Sequence, residues 1–449
     1  MTVTIVPYDP YWNSLFLVAE KEIRKACRDI PLILSHIGST SIQDMAAKPV
    51  IDILGEVEDL DDIDACSDAI RSLGFEALGE YGILQRRFFK RSVQSSFPCP
   101  IHLHVYAAGD PQIERHLRFR DYLRAHPIDA QSYEELKRSL ALIYAHDRDA
   151  YTDSKKKLIQ GLDRKALHWQ PISPYPHLNS TPRPKTWTRE KILSSMEANL
   201  FFHMTHLIRY APEAEYVDRS PLSWVTTPVQ DNTFNYALHS PYLKEEETDA
   251  WIDQTVAHFQ TKNVPFAWWI SPSDRPENLK EKLKARHFRL SEFHKGMFTL
   301  VKTLPSLAHS LKIERIFSPD RLADFCSIAE QLGLSKDLYP RIWKQIPPCL
   351  YQKGASVEIY VGYRNGVPVT TGLLAFYARM AGIYWIATAP AERGKGYASA
   401  ILSYLMQRAH EEKYQVAALL ASPASKKLYQ KFGFTDLADF YEFEYSPES

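Results

Sequence analysis

The chain has 449 residues, with 54 lysines and arginines against 54 aspartates and glutamates, so no net field marks it for nucleic acid or a membrane surface. Hydrophobic residues make up 45% and charged residues 24%, the balance of ordinary globular domains, and the length implies two to four of them. Five scattered cysteines (Cys27, Cys66, Cys99, Cys326, Cys349) include no C-x-x-C pair, which argues against a zinc ribbon or a disulfide framework. The start, Met-Thr-Val-Thr-Ile-Val-Pro-Tyr, has no basic segment ahead of an apolar core, and no run nears the roughly 20 apolar residues of a membrane helix. The cytoplasm is therefore the expected compartment.

In chain order, the first informative stretch is His36-Ile-Gly38-Ser39-Thr40-Ser41-Ile42, where an apolar strand runs into a polar turn. Lys48-Pro-Val-Ile-Asp52-Ile-Leu54 follows as a second buried strand with one carboxylate. A Gly-Ser turn followed by a strand aspartate is the entry pattern of the nucleotidyltransferase fold, where the turn holds nucleotide phosphates and the aspartate holds Mg²⁺. Together with Arg86-Arg87-Phe88-Phe89, His102-Leu-His104-Val and Arg118-Phe-Arg120-Asp121-Tyr122-Leu123, these residues resemble the GrpB (UPF0157) family from about Val6 to Leu167. The resemblance implies a nucleotidyltransferase-like α/β domain over residues 1–169 and leaves its reaction open.

Two-metal phosphoryl transfer usually wants Asp-x-Asp, because alternate strand residues share a face and both reach one ion. Here the alternate position is Leu54, and Glu56 lies about 13 Å along the strand at roughly 3.3 Å per residue. His102 and His104 share a strand face and are candidate ligands beside Asp52; this set suits a transition metal better than Mg²⁺. An exposed histidine pair with no ion is the alternative. Basic residues cluster as Arg86, Arg87, Lys90 and Arg91 on one strand and Arg115, Arg118, Arg120 and Arg124 on a helix. Converging on the turn Gly38, Ser39, Thr40 and Ser41, these clusters, with Lys48, Arg86 and Arg87 as the phosphate contacts, make an anion pocket for a nucleotide or another phosphorylated ligand; the alternative is a set of solvated faces. Phosphate binding is expected here, and efficient nucleotidyl transfer is not.

Five prolines between Pro171 and Pro184 predict an extended linker over 170–186. Residues 187–305 alternate helical and strand-like runs, among them the apolar strand Pro265-Phe-Ala-Trp-Trp-Ile270 and a strand at Met297–Val301. Leu304-Pro305-Ser306 marks a weaker junction before a last domain, 306–449. There an apolar run (Ile383–Thr388), a glycine turn (Arg393-Gly394-Lys395-Gly396-Tyr397-Ala398) and a helical run (Ser399–Glu412) follow in order. Such a turn aims free backbone N–H groups and the positive end of a helix dipole at one spot, which suits a pyrophosphate. Downstream, Val416–Ser422 reads as a buried strand. Ser422 is the predicted cap of a short helix starting at Pro423 and closed by Gly433.

Both motifs, at this separation, resemble the GNAT family of N-acetyltransferases, and 187–305 resembles the degenerate first half of two-part GNAT proteins. An unrelated substrate or dimerisation domain is the other reading of 187–305. The resemblance implies acetyl-CoA as cofactor, with its pyrophosphate on residues 393–398. Its pantetheine arm would run along Ile386, Ala387 and Thr388, and its thioester would lie beside Ser422. It also implies that Tyr429 protonates the departing thiolate, unless its ring merely packs. A small-molecule or peptide amine is the expected acceptor, with no membrane and no nucleic-acid partner. Glu358 is the candidate base, with a surface position as the alternative, since alternation sets it opposite Val357 and Ile359. A sensor binding CoA or nucleotides without turnover is the competing function class. A cleft blocked by Trp385 or by the Pro347-Pro348 loop would favour it.

Overall fold

The computed structural model describes residues 4–94, 97–169, 187–219, 222–239, 243–302, 311–347, 350–351 and 355–445. The linker 170–186, the junction at Leu304-Pro305-Ser306 and Pro348 lie outside them. The chain divides into two compact units, Met1–Arg183 and Pro184–Ser449.

The N-terminal unit is built on β1 (Leu32–Ile37), β2 (Ile51–Val57), β3 (Glu76–Ala77), β4 (Arg86–Arg91) and β5 (Ile101–Ala107), in sheet order β1-β2-β5-β4-β3. Only β2 and β5 pair in parallel, Asp52 beside His102 and Leu54 beside His104. Ile51, Ile53, Ile101, Leu103 and Val105 join the core that holds Trp12, Leu15, Ala19 and Ile23 of the Tyr11–Ala26 helix. Alternation turns Asp52, His102 and His104 to the other face. There the Pro111–Ala125 helix covers Leu54 and Tyr106 with Ile113 and Leu117. Its entry is fixed by Asp110, whose side chain accepts from the Gln112 N–H, and by proline at the first position. The apolar cover stops short of Asp52, which stays half-buried.

The C-terminal unit holds β6 (Glu215–Arg219), β7 (Leu222–Thr226), β8 (Tyr236–His239), β9 (Ala267–Ile270), β10 (Phe288–Leu300), β11 (Lys312–Arg315), β12 (Val357–Arg364), β13 (Val367–Tyr377), β14 (Met380–Thr388), β15 (Val416–Ala421) and β16 (Thr435–Tyr445). They form one sheet, ordered β11-β12-β13-β14-β15-β10-β16-β9-β8-β7-β6. One pattern occurs twice: three antiparallel strands, a long helix, a parallel strand, a short helix and a long last strand. It reads β6-β7-β8, Glu245–Lys262, β9, Leu279–Lys284, β10, and again β12-β13-β14, Tyr397–Glu411, β15, Lys426–Lys431, β16. The last strands are exchanged. β10 of the first copy pairs with β15 and β16, and β16 pairs with β10 and β9.

This exchange joins the two copies in one sheet across the expected boundary at 305/306. The Arg189–Thr205 helix also crosses that boundary: Asn199 Nδ2 donates to the carbonyls of Ala375, Tyr377 and Met380 at 2.9, 2.9 and 3.1 Å. Ile192, Met196 and Leu200 of that helix share a core with Met380, Val416, Leu437 and Phe440, burial worth about 1.5–3 kcal/mol per large side chain.

Candidate active site and metal cluster

The turn after β14 has the geometry that its glycines allow. Gly394 and Gly396 have φ of 78° and 83°, a region that costs other residues about 1–2 kcal/mol. A Cβ on either would meet nothing within 4 Å, so the backbone is open to an approaching anion. Gly396 opens the Tyr397–Glu411 helix, whose first turn carries no acid. Arg393 and Lys395 are exposed beside it, and Lys395 Nζ rests 2.8 Å from Glu392. In the first copy, the equivalent helix begins Glu245-Glu246-Glu247. Three carboxylates at a helix N-terminus repel a phosphate, so only the second copy is suited to one.

Parallel pairing between β14 and β15 stops at Gly382 and Ala418. Residues 383–388 thus have no β15 partner among the described residues, and the strands part. A bulge breaks the β13–β14 register between Thr371 and Leu373, with Trp385 at φ 56°. Threonine hydroxyls fasten it: Thr371 Oγ1 donates to the Trp385 carbonyl at 2.8 Å, and Thr370 Oγ1 to the Ala387 carbonyl at 2.7 Å. Tyr429 is buried with Leu419, Ala421 and Phe434 in the core beside β15, and burial pushes its hydroxyl pKa up.

Two expectations need correction. The short helix begins at Lys426, not Pro423, and Ser422 does not cap it. Instead the Ser422 carbonyl accepts from the Ser425 N–H at 3.1 Å, closing a turn. Glu358 is neither exposed nor free. Both faces of β12 are covered, its carboxylate takes two 3.0 Å bonds from Arg408 and a 2.5 Å bond from the Tyr360 hydroxyl, and Arg315 pairs with it as well. Its lone pairs are thus committed to donors within the fold.

Beside the parted strands lies a cavity of about 400 Å³, bordered by Tyr384 and Trp385 of β14, Leu420 of β15, and Glu292, His294, Glu442 and Glu444 of β10 and β16. Glu292 and Glu442 are direct cross-strand partners. His294 Nε2 stands 3.1 Å from Glu292 and 3.9 Å from Glu442. The nearer contact is out of line, leaving the buried Nε2 without an aligned hydrogen bond. Burial disfavours a charge on His294, but the two carboxylates outweigh it and raise its pKa to about 9. Burial raises Glu442, and His294 partly offsets that. Sequence reading missed this cluster. Alternation on β10 does put Glu292 and His294 on one face, but nothing local points to Glu442.

In the N-terminal unit, Asp52 Oδ1 lies 3.1 Å from His102 Nδ1 and 3.8 Å from His104 Nε2, and one ligand atom from each lies within 4.8 Å of the others. Burial works to raise the Asp52 pKa, but bonds and charge from the two histidines hold it well below the carboxylate range. His104 is lowered, chiefly by burial. The turn packs directly on this group. Two of its hydroxyls are spent on bracing it: Thr40 Oγ1 donates to the Val50 carbonyl at 2.9 Å and Ser41 Oγ to the Gly38 carbonyl at 2.6 Å.

Of the arginines expected to converge on the Gly38–Ser41 turn, Arg120 and Arg124 reach backbone in or just before it, and Arg87 does not. Arg87 points away from Arg86 and makes a bidentate pair with Asp64 at 2.6 and 2.8 Å. Arg86 donates to the Glu80 and Tyr81 carbonyls and reaches His104 Nδ1 at 3.4 Å. Arg115 pairs with Asp163 and Arg118 with Glu114. Arg120 and Arg124 pair with Asp121 and hold the carbonyls of His36 and Ser41.

The Acetyltransferase (GNAT) domain family model matches residues 355–436, from β12 to the first two residues of β16, and the GrpB protein model matches residues 2–165. This is a mixed α/β chain in which a GrpB domain precedes an acetyltransferase domain. It is 34% identical over 165 residues to the UPF0157 protein BH1888 of Halalkalibacterium halodurans, covering 37% of this chain and 83% of that protein. The chain belongs to the UPF0157 (GrpB) family. It is also 36% identical over 168 residues to the UPF0157 protein YqkA of Bacillus subtilis, covering 37% of this chain and 48% of that one, so the match spans about half of that relative. Among solved structures, conserved protein GrpB from Enterococcus faecalis is 33% identical, covering 36% of this chain and 97% of that one at a TM-score of 0.34. A GCN5-related N-acetyltransferase from Kribbella flavida is 14% identical, covering 57% and 96% at a TM-score of 0.45. Among the described residues, no helix is long and apolar enough to cross a membrane.

Proposed function

We propose that the C-terminal unit transfers the acetyl group of acetyl-CoA to an amine. The observation that carries the reading is the parting of β14 from β15 after Gly382 and Ala418, next to a turn whose two left-handed glycines face open space at a helix N-terminus. Residues 393–398 hold the pyrophosphate through backbone N–H groups and the helix dipole, with Arg393 and Lys395 adding charge. Residues 386–388 lie along the pantetheine arm, and a backbone N–H near Ile386 or Ala387 polarises the thioester carbonyl as charge develops on oxygen. Because the thioester is already activated, positioning of the amine supplies much of the acceleration. Tyr429, its proton retained by burial, protonates the leaving thiolate in this reading. Acetyl-CoA titration against thermal unfolding tests the reading by mass action. A protein whose melting temperature does not move with saturating acetyl-CoA is not this enzyme.

For the N-terminal unit we propose that Asp52, His102 and His104 hold a divalent transition metal, a donor set of one carboxylate and two imidazoles that suits such an ion. A phosphorylated ligand is the favoured partner of the Gly38–Ser41 turn. Leu54 leaves no second carboxylate for a two-metal site, which supports binding over nucleotidyl transfer. Calorimetric titration with Zn²⁺ alone, then with ATP, tests both parts.

A further inference from the structure

We propose that the cavity beside β14 is the acceptor site, and that its occupant is a primary amine carried as an ammonium on a flat apolar body. The transfer step rests on the acetyltransferase reading; the binding step stands on the lining.

Three carboxylates line the cavity, Glu292, Glu442 and Glu444, and among the described residues no lysine or arginine does. Among the described lining residues His294 is the one cationic group, because burial holds the pKa of His203, also on the wall, to about 3. The remaining titratable lining groups, Tyr236 and Tyr384, are kept neutral by burial. The wall is therefore net negative at neutral pH and selects cations. Trp269, Trp343 and Trp385 complete it, with the last two edge to face at 6.1 Å and Trp269 stacked 5.2 Å from His294. Indole faces attract an ammonium and pack a flat body. A volume of about 400 Å³ fits a small ligand. Trp343 also keeps a buried indole N–H without a hydrogen-bond partner among the described residues.

Glu442 is the acceptor's proton partner. It is 8% exposed, borders the cavity, and its carboxylate stands 3.9 Å from His294 Nε2. Tyr384 and Trp385 immediately precede Ile386 and Ala387 in the chain, so the bound amine lies beside the strand proposed to carry the thioester. The Glu442 carboxylate removes one proton from the ammonium. The freed nitrogen lone pair then forms a bond to the thioester carbonyl carbon, and the carbon–sulfur bond breaks. The nitrogen's second proton reaches sulfur by way of the Tyr429 hydroxyl, giving amide and CoA thiol, and Glu442 releases its proton to water.

The test titrates the full-length protein, without CoA, with 2-phenylethylamine, its carboxylate counterpart 3-phenylpropionate and the neutral 3-phenylpropanol. Binding is read by calorimetry and tryptophan quenching. The amine is expected to bind at least about tenfold tighter than either analogue, and Glu442→Gln to remove that preference while leaving the alcohol unchanged. Glu292→Gln, an exposed change at the mouth, repeats the test if Glu442→Gln does not fold. Equal binding of amine and alcohol, or no amine binding, overturns the proposal. So does tight Zn²⁺ binding that disappears in His294→Ala, which would make the cluster a metal site. Acetyl-CoA binding is measured separately, so loss of one reading does not carry the other with it.

Discussion

A Cβ placed on Gly38 would stand 2.5 Å from Oδ2 of Asp52, closer than a carbon can approach a carboxylate oxygen without displacing it. With φ at 71°, the turn backbone lies against the proposed metal ligand and admits only glycine without strain. Gly38→Ala is expected to lower stability by about 1–3 kcal/mol and to weaken Zn²⁺ binding by moving Asp52. Urea unfolding and calorimetry read the two effects. Unchanged Zn²⁺ affinity in a strained variant would separate the turn from the site.

Gly396→Val should abolish acetyl-CoA binding and leave the fold intact. A Cβ there meets nothing in the protein, so the folded chain bears only the backbone strain, about 1–2 kcal/mol, while a bound pyrophosphate would meet the new methyls. The check is acetyl-CoA affinity beside the circular dichroism spectrum. Retained affinity moves the pyrophosphate elsewhere.

The glycine turn was legible because its chemistry is local: strand, glycines and helix are contiguous, and their spacing alone defines the N–H groups. Glu358 was misread because alternation assumes a sheet with one wet face, whereas both faces of β12 are covered. Arg86 and Arg87 were grouped by sequence proximity, although neighbours on a strand point to opposite faces. His102 and His104, two apart, were rightly set on one face, and parallel pairing brings Asp52 to them. The Glu442–His294 contact had no signal, because exchange of last strands creates it between residues far apart in the chain.

Glu358→Ala should cost about 3–5 kcal/mol, because it leaves Arg315 and Arg408 partly buried without their shared carboxylate. The expected outcome is a large fall in urea midpoint, with the pH dependence of kcat/KM unchanged wherever the variant remains folded. A lost acidic limb in that profile with stability intact would return Glu358 to the role of base.

The His294 pKa rises from 6.5 to about 9 in the folded state. A group raised in this way contributes stability that is complete below its unfolded pKa and lost as pH climbs through the folded one. The C-terminal unit should therefore lose stability between pH 6.5 and about 9, and His294→Gln should flatten that decline. Glu442, also raised, loses its contribution from its ordinary 4.5 upward, so its effect begins on the acid side. Thermal unfolding of residues 187–449 across pH 5–10 measures the slope. A decline equally steep in the variant would assign it to other groups.

Strand exchange also fixes how the C-terminal unit can be cut. β10 lies between β15 and β16, and β16 lies between β10 and β9, so each copy of the repeat completes the other's sheet. A fragment 306–449 would expose the edge of β15 where β10 belongs and strip β16 of both partners, leaving unpaired backbone groups and uncovered apolar faces. It would also lose the Arg189–Thr205 helix, whose Asn199 bonds the carbonyls around Met380. Residues 1–169 and 187–449 are expected to fold when expressed separately, and 187–449 to unfold in one cooperative transition. Fragments 187–305 and 306–449 should each fail alone and recover only when produced together. A dispersed amide spectrum from 306–449 by itself would show that the second copy closes its own sheet and that the exchange is dispensable.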